Sequence, residues 1–203
     1  MTSKRRIAVI APTILVCTMV PVFRLLATVF GERWRLAWYL GLIIYWLVWC
    51  AAFSLWMVGR RGIADLIRPQ RPSVRVLLLT LVPPVGASLY RLVPGMDYQK
   101  PSVWMLVLLL STCLGNGVFE EILWRGMYIE LFPDSIPLRI VWPSIWFALW
   151  HYAPGSISPQ GNVIGLIIGS GMMGFYLSFL AKKTGTIWWC IIAHTVGGII
   201  MVA

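Results

Sequence analysis

Long apolar runs separated by short polar segments dominate the chain. A helix needs about 20 apolar residues to cross a bilayer, and several runs approach that length. The runs are continuous rather than alternating, which favours helices over barrel strands, the two structures that satisfy the backbone in lipid. The predicted fold is an all-α, polytopic transmembrane helical bundle. We expect about seven spans, at about residues 7–29, 36–58, 74–93, 103–132, 139–153, 162–181 and 186–202.

The predicted spans follow one another without a low-complexity linker or a repeated half. We therefore expect a single integral membrane domain over residues 1–203, with a motif-bearing core at about residues 103–203. The fourth span is too long for one simple crossing, so we expect it to tilt or to leave the hydrocarbon in its last turns.

Small residues recur at helical spacing in the sixth predicted span. Gly165 and Gly169 are four residues apart, as are Ser170 and Gly174. Small residues at this spacing let membrane helices approach closely. The pattern predicts that the sixth helix packs tightly inside the bundle.

Composition agrees with a membrane protein. The chain is 59% hydrophobic and 12% charged, and its mean hydropathy is +0.81. A net charge of +10 would suggest nucleic acid for a soluble protein. Here the basic residues cluster between apolar runs, where they orient a membrane protein and meet anionic headgroups. The expected partner is the lipid bilayer, and no nucleic acid.

The distribution of Lys and Arg predicts the orientation. With the N-terminus in the cytoplasm, eleven of them fall on the cytoplasmic side and five, including Lys100, on the other. This bias favours a cytoplasmic N-terminus and an outside C-terminus, in what we expect to be a prokaryotic inner membrane. Residues 59–75, "GRRGIADLIRPQRPSVR", would form a basic cytoplasmic loop lying partly on the membrane surface.

Few ionisable groups fall inside the predicted spans. Glu120 and Glu121 lie well within the fourth span, His151 lies near the end of the fifth, and His194 lies in the middle of the seventh. Counted from the cytoplasmic helix ends, Glu120, His151 and His194 lie at depths of roughly 18, 18 and 12 Å. Three helices can therefore bring these groups to one level, although the sequence alone does not place them face to face.

Structural interpretations compete with functional ones for these residues. Glu121 and Arg125 have the spacing and orientation of an i, i+4 ion pair, and we favour that role for them. A histidine in a membrane helix can simply hydrogen-bond between helices. Glu120 points about 100° away from Glu121, with Asn116 one turn before it. Because an ionisable group in a span costs at least about 2.5–3.5 kcal/mol, a functional site explains Glu120 better.

A polar site inside an apolar bundle suits general base catalysis. A desolvated glutamate is a better base toward water, one histidine can position that water, and the other can donate to the oxyanion formed on an amide. The same residues, Glu120, His151 and His194, are also candidate ligands of a divalent metal such as zinc, although no HExxH motif is present. The sequence leaves open whether a metal cofactor is required.

Three short motifs resemble one family. "EEILWR" at residues 120–125 matches EExxxR, "FALWH" at residues 147–151 matches FxxxH, and "HTVGG" at residues 194–198 matches the third motif at its histidine. The motifs occur in the family's order on successive predicted helices. The chain thus resembles the CPBP or Abi family of CAAX prenyl proteases and bacteriocin-processing enzymes, which are described as intramembrane metalloproteases or glutamic endopeptidases.

The resemblance implies an intramembrane endopeptidase that hydrolyses peptide bonds of membrane-associated or lipidated substrates. Glu120 would activate the water together with His151, and His194 would help to bind the oxyanion. Glu121 and Arg125 would support the site. CAAX processing, peptide maturation, sorting-signal cleavage and bacteriocin immunity all occur in the family, and the sequence does not choose among them.

One position departs from the family pattern. The family usually has Asn or Asp four residues after the last histidine, where this chain has Gly198. Asn116, Thr195 or a water would have to replace that side chain. If nothing replaces it, the protein would be a non-catalytic immunity or binding protein. A proton-coupled transporter is a further alternative, because buried Glu, His and Arg also build proton relays.

Overall fold

The computed structural model describes residues 1–92, 102–159 and 162–202. Every regular element in these residues is a helix, so the predicted all-α class is confirmed. The helices are α1 (Ser3–Phe30), α2 (Trp34–Leu66), α3 (Val74–Arg91), α4 (Val103–Leu131), α5 (residues 137–150), α6 (Tyr152–Gly155), α7 (Val163–Thr184) and α8 (Trp188–Val202).

Four of the helices, α1, α2, α4 and α7, are long and apolar enough to cross a membrane. The helices α3 and α8 are apolar but shorter, and α5 is shorter still. The protein is therefore an integral membrane protein, whereas the count of about seven spans stays a prediction. Residue 93, the predicted end of the third span, and Lys100 lie outside the described residues.

A sharp bend divides α2. Gly59 has a φ of 77°, a conformation that only glycine adopts without strain. The carbonyls of Trp56 and Met57, just before the bend, accept hydrogen bonds from the Lys4 ammonium at 3.0 and 2.8 Å. A cation suits this place because the carbonyl end of a helix carries partial negative charge. The two hydrogen bonds of Lys4 thus join the beginning of α1 to α2 at this bend.

The basic segment at residues 59–75 is more ordered than the predicted loop. Its first part continues as helix to Leu66, which is only 5% exposed. The Leu66 carbonyl accepts hydrogen bonds from the Thr186 hydroxyl at 2.6 Å and from the Ile187 amide at 2.9 Å. The prediction of a loop was wrong for residues 60–66, because these two bonds dock the segment on the connection between α7 and α8.

Aromatic side chains from four helices form the centre of the bundle. Trp150 of α5 stacks on Tyr45 of α2, with ring centroids 3.7 Å apart, and meets the edge of Phe23 of α1 at 5.9 Å. The Trp124 indole of α4 donates a hydrogen bond to the Tyr45 hydroxyl at 2.7 Å. Buried indole and phenol groups need such partners, so this pairing fixes how α2, α4 and α5 face each other.

Only the second half of α7 packs as the glycine pattern predicted. A Cβ added at Gly169 would have no atom within 4 Å, and one at Gly165 would meet only the capping side chain of Asn162. At Gly174 an added Cβ would lie 3.1 Å from Phe147 and 3.3 Å from Ser144 of α5. The prediction was therefore wrong for the first half of this helix, which is mostly exposed although Val163 and Leu166 lie against Gly155 of α6.

The contact between α1 and α2 predicts a large effect of one methyl group. A Cβ at Gly41 would lie 2.5 Å from the ring of Phe23, which is fully buried against Trp150. We expect Gly41→Ala to lower the free energy of unfolding by about 1–3 kcal/mol, measured by denaturant titration in detergent. The matched control, Gly169→Ala, should be neutral or stabilising. Equal stabilities of the two variants would contradict this packing.

Candidate functional site

Two adjacent glutamates are enclosed at the middle of the bundle. Glu120 is 1% exposed and Glu121 is fully buried. They lie where α4 widens into π-helical turns, at Asn116–Glu120 and Ile122–Gly126. Such turns change the direction in which side chains leave a helix, and they are frequent at functional sites. The two carboxylates consequently have different partners.

Glu121 is bound from two sides. Its Oε1 accepts from Nη1 of Arg125 at 2.9 Å, so the expected i, i+4 ion pair is present. The same oxygen lies 2.8 Å from Nδ1 of His194 on α8. Because a carboxylate only accepts, Nδ1 carries the hydrogen, and the Nε2 atom of His194 is left for other partners. The contact between Glu121 and His194 was not anticipated from the sequence.

Glu120 faces the other side of the same histidine. Its Oε1 accepts from the indole Nε1 of Trp150 at 3.1 Å. Its Oε2 lies 3.8 Å from Nε2 of His194 and has no hydrogen-bond partner in the part of the chain that the structure describes. One carboxylate oxygen is therefore fixed by an indole, and the other is buried and available.

His151 lies beside these groups, at the end of α5. Its Nδ1 is 2.7 Å from the Phe147 carbonyl, which can only accept, so Nδ1 carries the hydrogen and Nε2 can accept one. The Phe147 ring centroid lies 4.7 Å from that of His151 and 6.3 Å from that of His194. Within the described residues, no hydrogen bond joins His151 directly to Glu120, so a substrate or water would have to connect them.

The structure does not bring the candidate metal ligands into a metal-binding group. No cluster of three His, Cys, Asp or Glu residues with suitable geometry is found among the described residues. The Nδ1 atoms of His151 and His194 are both occupied, by Phe147 and by Glu121. Hydrogen-bonded Nδ1 atoms are also usual in metal-binding histidines, so these two bonds do not count against a metal. The described residues nevertheless do not gather Glu120, His151 and His194 around one point, and their Nε2 and Oε2 atoms remain available for acid–base chemistry.

The positions considered for an additional donor differ in what they contact. The Asn116 Oδ1 atom accepts from the Trp46 indole at 3.0 Å, which ties α4 to α2. Gly198 faces α4, where an added Cβ would lie 3.2 Å from Sγ of Cys113. Asn116 is therefore engaged in a contact between helices, and position 198 carries no donor.

Sequence reasoning missed two aromatic residues of the site, Trp150 and Phe147. Trp150 holds the carboxylate of Glu120, and the Phe147 ring lies under the Arg125 guanidinium, 4.2 Å from its Cζ. A signal existed in "FALWH", since a tryptophan in an apolar span needs an acceptor for its N–H. Glu120 was the acceptor that the sequence offered without an assigned partner.

The ion pair at Glu121 predicts a large loss of stability on truncation. Arg125 is 1% exposed, and its removal would leave a buried carboxylate short of its cation. We expect Arg125→Ala to lower the free energy of unfolding by about 3–5 kcal/mol, with a smaller loss for Arg125→Lys. Thermal unfolding in detergent measures this. Arg75→Ala, at an exposed position, is the control, and a loss no larger than in the control would contradict the role of the pair.

Comparison with known proteins bears on the same region. Residues 102–200, just under half of the chain, match the model of the family Type II CAAX prenyl endopeptidase Rce1-like. No curated protein and no solved structure matches the chain. The matched range contains α4, α5 and α8, which carry all three motifs and every group of the site described above. The motif-bearing part of the chain, residues 102–200, therefore belongs to the CPBP/CAAX protease family.

Proposed function

We propose that this protein is an intramembrane endopeptidase that hydrolyses a peptide bond in lipidated or membrane-associated substrates, as in CAAX-type processing. The observation that carries the proposal is the Oε2 atom of Glu120. It is buried, it has no hydrogen-bond partner among the described residues, and it lies 3.8 Å from Nε2 of His194. A buried, unpartnered carboxylate oxygen costs stability, which a role as a base explains.

The geometry supports a division of roles. Glu120 takes a proton from a water molecule, and the Nε2 atom of His151 accepts a hydrogen bond from the other O–H of that water. The water oxygen attacks the amide carbon, and the carbonyl oxygen becomes an oxyanion. Protonated His194, held by Glu121 through Nδ1, donates from Nε2 to that oxyanion. Glu120 then returns the proton to the leaving amine as the C–N bond breaks.

A non-catalytic immunity or binding protein of the same family is the second candidate. The observation that favours it is Gly198, which has no side chain to donate to an oxyanion. In that case the buried glutamates only bind their structural partners, Arg125, His194 and Trp150. The two candidates differ in what replacement of Glu120 does, since a binding protein needs no base.

We further propose a single domain with one strongly basic face. The Tyr128 hydroxyl of the matched region donates to the Ala8 carbonyl at 2.8 Å, which joins it to α1. The bonds of Lys4 to α2 and of Thr186 to Leu66 bring exposed basic residues of three segments to one end of the bundle. These residues are Lys4, Arg6, Arg60, Arg61, Arg68, Arg71, Arg75, Lys182 and Lys183. We assign this end to the cytoplasm of a prokaryotic cell.

Replacement of the proposed base tests the activity. The probe is a fluorogenic peptide that ends in a farnesylated cysteine followed by three residues, presented with the purified protein in liposomes. We expect Glu120→Gln to lower kcat by about 10²–10⁴-fold with little change in melting temperature, because the amide keeps the shape and can still accept from Trp150. Glu130→Gln, at an exposed glutamate of the same helix, is the matched control.

A fully active Glu120→Gln protein would contradict this mechanism. No cleavage by the folded wild type would exclude CAAX-type processing. A comparison of peptide termini in the native host membrane, between wild type and Glu120→Gln, would then decide between another proteolytic substrate and the binding protein.

The orientation makes a separate prediction. Alkaline phosphatase, which folds only outside the cytoplasm, should be active when fused to the C-terminus and inactive when inserted after Gln70 in the basic segment. The inverse pattern of activities would reverse the assigned orientation without affecting the proposed chemistry.

A further inference from the structure

The hydroxyl of Thr195 is a buried donor without a partner. Thr195 follows His194 on α8, is 9% exposed, and its Oγ1 makes no hydrogen bond within the described residues. Five other helical threonines donate to the carbonyl four residues earlier: Thr18, Thr28, Thr80, Thr112 and Thr184. Thr195 does not make this bond within its own helix, although the bond is available to a helical threonine.

The surroundings of this hydroxyl place it within about one helical turn of the proposed base. It faces Gly117 of α4, where an added Cβ would lie 1.9 Å from Oγ1 and 3.2 Å from the Thr195 amide nitrogen. Gly117 comes three residues before Glu120, which is less than one helical turn, or about 5 Å, along α4. The hydroxyl and Nε2 of His194 thus approach the level of the Glu120 carboxylate from the same helix.

A side chain at position 198 would lie farther from Glu120 than Thr195 does. A Cβ there would point at Cys113, with 3.2 Å to Sγ and 3.4 Å to Cβ. Cys113 lies seven residues, or about two turns, before Glu120 on α4. Thr195 meets α4 closer to the carboxylate than Gly198 does, and it already carries an O–H donor.

We propose that Thr195 is a catalytic residue whose hydroxyl, together with Nε2 of His194, binds the oxyanion during peptide hydrolysis. This inference rests on the proposed function. When the water oxygen bonds to the amide carbon, the electron pair of the C=O bond moves to the carbonyl oxygen. Thr195 donates a hydrogen bond to that oxygen and transfers no proton. As the bond between carbon and nitrogen breaks, the electron pair returns to C=O, and the amine takes its proton from Glu120.

This role makes a prediction that separates kcat from KM. A donor that meets the developing charge stabilises the transition state more than the bound substrate. Thr195→Val, which keeps the shape of the side chain, should lower kcat about 10²-fold and change KM less than about twofold. Thr195→Ser, which restores the hydroxyl, should recover most of kcat. The assay uses the farnesylated peptide in liposomes.

A matched control separates catalysis from packing. Thr112 on α4 is 7% exposed, and its hydroxyl donates to the Leu108 carbonyl of its own helix. Thr112→Val should keep the wild-type kcat. Because the Thr195 hydroxyl has no partner to lose, Thr195→Val should melt at or above the wild-type temperature. Should the extra methyl group disturb the contact with Gly117, Thr195→Ala, which is smaller, must show the same loss of kcat.

The possible outcomes are distinct. A wild-type kcat in both Thr195→Val and Thr195→Ala, with Glu120→Gln inactive, overturns the role of Thr195 and leaves the proposed function standing. A lower melting temperature with no recovery of kcat in Thr195→Ser would make the hydroxyl structural, and also overturns the role. A wild type that does not cleave the peptide, although it is folded, rejects CAAX-type processing and this role with it.

Discussion

The rest of the site depends on the contacts that the buried carboxylate of Glu121 makes. It holds Arg125 within its own helix and His194 of α8, both through Oε1. In an apolar bundle an uncompensated charge is far more costly than in water, so these contacts are strongly favoured. They fix which nitrogen of His194 points toward Glu120. The chemistry proposed for Glu120 thus depends on a neighbour that need not touch the substrate.

This arrangement requires α4 to be approached closely by two other helices. At Gly117 a side chain would collide with Thr195 of α8, and at Gly115 an added Cβ would lie 2.5 Å from the ring of Trp46 on α2. The hydrogen bond of Trp46 to Asn116 lies between these two contacts in the sequence. Small residues permit such close packing where lipid provides no hydrophobic force between helices. The short distance from His194 to the glutamates follows from this close approach of α8 to α4.

Much of the fold was predictable because bilayer length and apolar composition constrain the helices directly. The fourth predicted span, residues 103–132, differs from α4 by one residue at its end. The ion pair of Glu121 and Arg125 followed from local spacing alone. Local spacing could not predict the docking of Leu66 on Thr186, since that contact joins residues 120 positions apart. It also could not show that Gly165 and Gly169 of α7 face no neighbouring helix.

The site itself was only partly accessible from the sequence for a related reason. The depths counted along the predicted helices placed Glu120, His151 and His194 at one level in the membrane. The direction of a side chain, however, depends on local helix geometry. The wide turns of α4 send Glu120 toward Trp150 and Glu121 toward His194. Regular helix geometry predicts that Glu120 and Glu121 diverge by about 100°, but it does not predict which neighbour each one meets, because π-helical turns change the angle between successive residues.

The unpartnered polar atoms of the bundle are concentrated at this site. Within the described residues, five of the seven such buried atoms belong to it: Glu120 Oε2, Glu121 Oε2, Arg125 Nε, Arg125 Nη2 and Thr195 Oγ1. Each destabilises the folded state unless something binds it, because burial removes its hydration. The aromatic centre around Trp150 and Tyr45 offsets that loss by packing and by holding the framework rigid. A site with packed aromatic walls and unsatisfied donors and acceptors suits the binding of a water molecule and a polar transition state, as the hydrolysis proposed for it requires.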